Sequence, residues 1–101
     1  MEIRARDNER ELLLEPSGEI DDHGARNALK EVEMAIDAAL PRLLTLDFSG
    51  VTFMDSSGIA LILRSQQRMQ LLDGSVVIRN IPAQAKRVLD AAGIGRLVSI
   101  K

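Results

Sequence analysis

The residue types that could do chemistry lie in two short stretches, Asp21-Asp22-His23 and Asp55-Ser56-Ser57. A serine hydroxyl, an imidazole and a carboxylate are the parts of a nucleophile triad, which would make Ser56 the nucleophile of a small hydrolase. This serine lacks the Gly-x-Ser-x-Gly turn of such enzymes, and His23 and Asp22, being sequence neighbours, rarely orient each other as base and acid. The pattern therefore argues against catalysis, and we predict that the protein is not an enzyme.

Both stretches precede predicted helices, and Asp and Ser are ordinary helix N-caps. On spacing alone, capping without a further role is the favoured interpretation of Asp21, Asp22, Asp55, Ser56 and Ser57. A helix start also offers unpaired backbone N–H groups and the positive end of the helix dipole, so a phosphate on Ser56 would be well tolerated. If the strands before the two stretches are neighbours, Asp21 and Ser56 lie close together.

Metal and nucleotide sites have less support. Asp21, Asp22 and His23 have only their proximity in favour of a metal site. No Gly-x-x-x-x-Gly-Lys loop is present, and the sequence Gly93-Ile94-Gly95 ends a predicted helix instead of opening one. We therefore predict no metal and no cofactor.

The elements that position these residues alternate between strands and helices. The predicted strands are residues 2–7, 11–16 (closed by Pro16 to Gly18), 43–48, 75–79 and 97–100, with a short extended piece at 51–54. The first predicted helix starts at Asp21 or Asp22 and is stopped by Pro41, and its apolar stripe consists of Ala25, Leu29, Val32, Ile36 and Leu40. The second predicted helix runs from 57 to 72, and the third runs from Pro82 to Gly93. Repeated strand–helix–strand crossovers require a largely parallel sheet. We therefore predict an α/β fold: a mixed β-sheet in the order β-β-α-β-α-β-α-β, with helices packed on the sheet and an antiparallel N-terminal hairpin at its edge.

The composition restricts the classes of partner. Thirteen basic and fifteen acidic residues are spread without long runs, and only two residues are aromatic. Nucleic acid is therefore not expected as a direct partner, because a basic face and stacking side chains are both lacking. There is no cysteine for a thiol nucleophile or a disulfide. No apolar stretch approaches the roughly 18 residues of a membrane span, and we expect a cytoplasmic protein without membrane association.

Three segments resemble the STAS domain family, and within it the small bacterial anti-sigma factor antagonists. SGEIDDHGARNALKEV (residues 17–32) is similar to the family's Gly-Glu-Leu-Asp loop and first helix. LLTLDFSGVTFMDSSGIALIL (residues 43–63) resembles its phosphorylation-site motif, and IRNIPAQAKRVLDAAGIGRLVSI (residues 78–100) its final strand–helix–strand. The fold implied is a STAS-type sheet spanning most of the chain.

The resemblance also implies a function. Ser56, directly after the motif aspartate Asp55, would be phosphorylated by a partner anti-sigma factor that is also an ATP-dependent serine kinase. Ser57 and Gly58 would shape the helix start, and Asp21 matches the aspartate of the Gly-Glu-Leu-Asp loop beside the site. The unmodified protein would bind the anti-sigma factor and free a sigma factor for transcription, phosphorylation would end the binding, and a serine phosphatase would restore it.

Two features depart from the family pattern. Ala60 stands where the family often has a second glycine, and many members carry a helix after the final strand, whereas this chain stops at Lys101. We therefore expect a single STAS domain over residues 1–101 without the usual C-terminal helix. A sheet face left uncovered would favour self-association or a compensating partner. An alternative within the same fold is a scaffold or a subunit of a lipid-transport complex in which Ser56 is never modified.

Overall fold

The computed structural model describes residues 1–101 as a six-stranded β-sheet with three α-helices. The strands are β1 (Glu2–Asn8), β2 (Glu11–Ile20), β3 (Leu43–Asp47), β4 (Gly50–Met54), β5 (Ser75–Arg79) and β6 (Ser99–Ile100). The helices are α1 (Asp22–Ala39), α2 (Ser56–Leu71) and α3 (Ala83–Ala91), followed by a 3₁₀ turn at Ile94–Arg96. The predicted α/β fold is confirmed, and the extended piece at 51–54 proves to be a strand of its own. None of the helices has the length and hydropathy of a transmembrane segment.

The N-terminal hairpin forms one edge of the sheet, as predicted. β1 pairs antiparallel with β2, and the strands that follow across the sheet are β3, β5 and β6. The hairpin turn consists of Glu9 and Arg10, whose φ angles are both positive, at 45° and 68°. Two successive positive φ angles give a two-residue turn whose twist matches that of the flanking strands.

Strand β2 is ten residues long because it has two parallel partners in succession. Residues 11–14 pair with β3, and residues 17–20 pair with β4 across a register shift between Gly18 and Glu19. The prediction that Pro16 to Gly18 closes this strand is therefore wrong. Gly18 adopts a φ of +93°, which glycine tolerates, and the irregularity lets the strand continue. The second half of β2 consequently positions β4, the strand that leads to Ser56.

The hydrophobic core lies between one face of the sheet and all three helices. Alternate residues of the central strands are buried on this face: Leu12, Leu14, Leu44, Leu46, Val76 and Ile78. They belong to one cluster with residues of every helix, among them Val32, Ile36, Ile62, Met69 and Leu89. On the opposite face, the central residues Leu13, Thr45 and Val77 are only half-buried. The fold therefore has two layers, with the helices on a single side of the sheet.

Several predicted element ends differ from the structure, and two of the differences have a clear cause. Helix α1 ends at Ala39, and Leu40 lies outside it with a φ of 47° and 60% of its surface exposed. The cause is Pro41, since a proline ring disfavours the helical conformation of the residue before it. The last strand begins at Ser99 and not at Leu97, because the 3₁₀ turn occupies the preceding residues and leaves Leu97 exposed.

Candidate functional site at two adjacent helix starts

Asp21 and Asp55 each cap a helix. Asp21 Oδ1 accepts a hydrogen bond from the backbone N–H of Gly24 at 2.8 Å, and Asp55 Oδ1 accepts one from Ser57 at 2.8 Å. Each bond satisfies one of the backbone donors that a helix start leaves free. Of the two aspartates that the sequence offered for α1, Asp21 is the cap, while Asp22 is exposed in the first turn.

The two helix starts lie side by side. Ile20 and Met54 are partners at the ends of the parallel strands β2 and β4, and the N–H of Asp55 donates to the carbonyl of Ile20 at 3.1 Å. The residues that follow, Asp21 and Asp55, therefore leave the same edge of the sheet next to each other. The register brings the two chemistry-bearing stretches of the sequence together.

The two serines at the start of α2 differ in exposure. Ser56 is the first helical residue and its side chain is exposed, whereas Ser57 is half-buried and its N–H is bound to Asp55. The helix thus begins one residue before the predicted Ser57. Because Asp55 provides the cap, the Ser56 side chain is not required for capping and is accessible from solvent.

Gly58 makes room for the end of β4 beneath the first turn of α2. A Cβ at this position would lie 2.5 Å from both Cγ and Sδ of Met54 and 3.3 Å from Cγ2 of Ile20. Both neighbours are fully buried, so they have little freedom to move aside. A glycine is therefore needed for α2 to start this close to the sheet.

Gln84 on α3, which no pattern in the sequence singled out, holds β4 from its other side. Its Oε1 accepts from the N–H of Met54 at 2.8 Å, and its Nε2 donates to the carbonyl of Met54 at 2.7 Å. Strand β4 pairs only with β2, so its other edge has no neighbouring strand. At Met54, the two bonds from Gln84 take the place of the bonds that such a strand would make. No signal in the sequence could have found Gln84, because the unpaired edge of β4 follows from the sheet topology.

Asp47 fixes the link between β3 and β4. This side chain is almost wholly buried and accepts hydrogen bonds from Ser49 N–H at 3.0 Å, Arg79 Nε at 3.1 Å and Asn80 Nδ2 at 3.0 Å. Burial alone would raise the pKa of Asp47, but the bonds from Ser49, Asn80 and Arg79 outweigh it and lower the pKa to about 2. The carboxylate therefore remains charged and sets the point from which β4 departs.

Two surface grooves flank the start of α2. The groove between α1 and α2 has a volume of about 160 Å³ and is lined by Asp22, Ala25, Arg26, Leu29, Ser57, Ala60 and Leu61. The α2–α3 groove has a volume of about 500 Å³ and is lined by Ser56, Ile59, Gln84, Arg87, Val88, Ala91 and Ala92. Ala60, one of the departures from the family pattern, thus places its methyl group at the first groove. Ser56 stands at the second.

The nucleophile triad and the metal site find no supporting geometry. His23 is exposed, and Asp21 directs its carboxylate to Gly24 instead of orienting an imidazole. No group of three or more His, Asp and Glu side chains is arranged to hold a metal ion. What the geometry offers is an accessible hydroxyl on a preformed helix start between two grooves.

Comparisons with known proteins point to one family. The family model described as "STAS domain" matches residues 2–101. An anti-sigma F factor antagonist of Lysinibacillus sphaericus is 26% identical over 78 residues, which cover 77% of this chain and 67% of that protein. The structure of the anti-sigma factor antagonist SpoIIAA in its unphosphorylated form has a TM-score of 0.84 at 21% identity, covering 99% of this chain and 88% of that one. The Bacillus cell fate determinant SpoIIAA in its phosphorylated form has a TM-score of 0.75 at 21% identity, covering 99% of this chain and 91% of that one.

Proposed function

Since the chain belongs to the STAS domain family, we propose that it is an anti-sigma factor antagonist controlled by phosphorylation of Ser56. The observation that carries the proposal is the exposed Ser56 hydroxyl, the first residue of a helix that Asp55 already caps. The similarity to proteins named anti-sigma F factor antagonist, and to a solved protein that exists in unphosphorylated and phosphorylated forms, supports it.

The partner is an anti-sigma factor with serine kinase activity. It docks on the start of α2 and the two grooves beside it, which supply apolar surface from Leu29, Ile59 and Val88 with polar groups at their rims. Such docking occupies the anti-sigma factor and frees the sigma factor, so the protein regulates transcription without touching DNA. A serine phosphatase returns the phosphorylated form to the binding state.

Phosphorylation ends this binding by electrostatics. A phosphate adds about 1.5 to 2 negative charges at neutral pH to a surface that already carries the Asp22 carboxylate and the Asp55 cap. Burying that charge against a partner costs desolvation and, opposite acidic groups, repulsion. The free protein needs no refolding, because the positive end of the α2 dipole stabilises a phosphate at Ser56.

The test combines phosphorylation and binding on four purified proteins. The wild type, Ser56→Ala, Ser56→Asp and Ser57→Ala are each mixed with ATP and the kinase-type anti-sigma factor encoded nearest to this protein, and phosphate is mapped by mass spectrometry. We expect modification of the wild type and of Ser57→Ala only. By calorimetry we expect Ser56→Ala to bind as the wild type does and Ser56→Asp to bind at least about tenfold more weakly, which corresponds to about 1.4 kcal/mol.

Ser57→Ala is the matched control, since it removes a neighbouring hydroxyl and leaves Asp55 to cap the helix. Phosphate on Ser57 would contradict the assignment of the acceptor. Equal affinity of Ser56→Ala and Ser56→Asp for the anti-sigma factor would contradict the switch and favour a scaffold that is never modified.

A further inference from the structure

The α2–α3 groove contains a single charged side chain. Of its seven lining residues, only Arg87 carries a charge, and Ser56 lies on the same lining. Arg87 is exposed and takes part in none of the ion pairs of the molecule. Most other cations on the helices are engaged: Arg26, Arg64, Arg68 and Lys86 each pair with a carboxylate. Arg87 is therefore free to bind an anion that arrives at the groove.

The position of Arg87 relative to Ser56 is fixed by Gln84. The two hydrogen bonds of Gln84 attach the first turn of α3 to Met54, two residues before Ser56. Arg87 follows Gln84 by three residues, so it lies on the same face of α3 about 4.5 Å further along the axis. The anchored turn thus presents the guanidinium to the groove that Ser56 borders.

We propose that Arg87 is the counterion of a phosphate on Ser56 and that the pair closes the α2–α3 groove. The inference rests on the proposed function in taking Ser56 as the acceptor. The guanidinium offers a planar fork of N–H donors that matches two phosphate oxygens, and such charge-assisted bonds are among the strongest in proteins. No carboxylate lines the groove to compete for it.

The pair gives phosphorylation a second effect besides added charge. An Arg87 side chain held at Ser56 would cover part of the groove, whose apolar lining is formed by Ile59, Val88, Ala91 and Ala92. A partner that docks in this groove would then lose contact area as well as meet the phosphate. Arg87 then neutralises part of the phosphate charge and occupies the groove. Both effects would keep the phosphorylated protein from binding its partner again.

The contact can be tested without any kinase by incorporating phosphoserine at position 56 during translation. The pKa of the phosphate is then measured by ³¹P NMR titration in the otherwise wild-type protein, in Arg87→Gln and in Arg42→Gln. Arg42 is the matched control, because it is exposed in the loop before β3 and has no ion pair. We expect the phosphate pKa to rise by about 0.5 to 1 unit in Arg87→Gln and to stay unchanged in Arg42→Gln.

Arg87→Lys extends the test, since it keeps the charge but removes the fork, and should raise the phosphate pKa by less than Arg87→Gln does. An identical phosphate pKa in the wild-type, Arg87→Gln and Arg42→Gln backgrounds would overturn the inference. If the Arg87 effect is found but no anti-sigma factor phosphorylates Ser56, the contact stands and the proposed function fails. The two failures are therefore distinguishable.

Discussion

The side-chain amide of Gln84 bonds to the main chain of Met54 in both directions, accepting from its N–H at 2.8 Å and donating to its carbonyl at 2.7 Å. Helix α3 thereby supplies the neighbour that β4 lacks on its outer side. Because α2 starts two residues after Met54, the same two bonds fix the place of Ser56. The position of the proposed phosphorylation site thus depends on a helix that follows it by almost thirty residues.

Replacing Gln84 with alanine should destabilise the fold by about 1 to 3 kcal/mol, because it removes both bonds and leaves the polar groups of Met54 without a protein partner. Urea unfolding followed by circular dichroism measures the change. Gln67→Ala is the matched control, since Gln67 is exposed on α2 and makes no side-chain hydrogen bond. Equal stability of the two variants would mean that the Gln84 bonds contribute nothing net.

A side chain at position 58 should lower the stability of the fold. Gly58→Ala places a Cβ 2.5 Å from two atoms of Met54, and we expect a loss of about 1 to 3 kcal/mol as α2 or Met54 shifts. Gly95→Ala is the control, because its Cβ would meet only Ile100 Cδ1 at an ordinary 3.6 Å. Thermal unfolding of both variants gives the comparison.

The cause of the Gly58 effect can be separated by a double variant. Met54→Ala removes the atoms in the collision, so Gly58→Ala should cost less in that background than in the wild type. If Gly58→Ala lowers the stability equally in both backgrounds, the loss comes from a contact of α2 other than the one with Met54.

The buried Asp47 makes a defined contribution to pH stability. Its pKa is about 2 in the folded protein, below the ordinary value of 3.8, so it stabilises the fold fully above pH 4 and loses this contribution as the pH falls toward 2. The shift corresponds to about 2 kcal/mol. Asp47→Asn should therefore be less stable than the wild type at pH 7. The difference in unfolding free energy between the two proteins should shrink as the pH falls from 4 to 2.

Urea unfolding of the wild type and Asp47→Asn at several pH values measures this dependence. Asp7→Asn serves as the control, since Asp7 is exposed on β1 and forms no ion pair. If the difference in unfolding free energy between the wild type and Asp47→Asn is constant across this range, the bonds from Ser49, Arg79 and Asn80 do not depend on the charge of Asp47.

Local patterns predicted the order of elements, and they predicted the juxtaposition of the two helix starts on the condition that the preceding strands are neighbours. Neighbouring residues determine the apolar stripe of α1, the capping aspartates and the hairpin. These features could therefore be predicted from the sequence alone. The extension of β2 beyond Pro16 could not, because it depends on pairing with β4, more than thirty residues later. A turn signal in the sequence was overridden by a tertiary partner.

The candidate site shows the same division. Asp21 and Asp55 were identified as caps because that role at a helix start is local, whereas Gly58 was named only through the family resemblance. Gln84 was missed, since it acts on a segment thirty residues away and has no periodic or motif signature of its own. The same holds for Arg87, which lines the groove that Ser56 borders and whose interaction with Ser56 is a proposal. The identity of Ser56 as an acceptor stays a prediction that the proposed phosphorylation experiment decides.

The double partnership of β2 has a consequence for local unfolding. Strands β2, β3 and β5 each lie between two neighbours, whereas the main chain of β4 pairs only with the last residues of β2 and is bonded on its other side by Gln84. Opening β4 therefore breaks few bonds and leaves the ladder from β1 to β6 intact, so its amides should exchange with solvent faster than those of β3. Such loosening would let the proposed acceptor Ser56 enter the active site of a kinase while the rest of the domain stays folded.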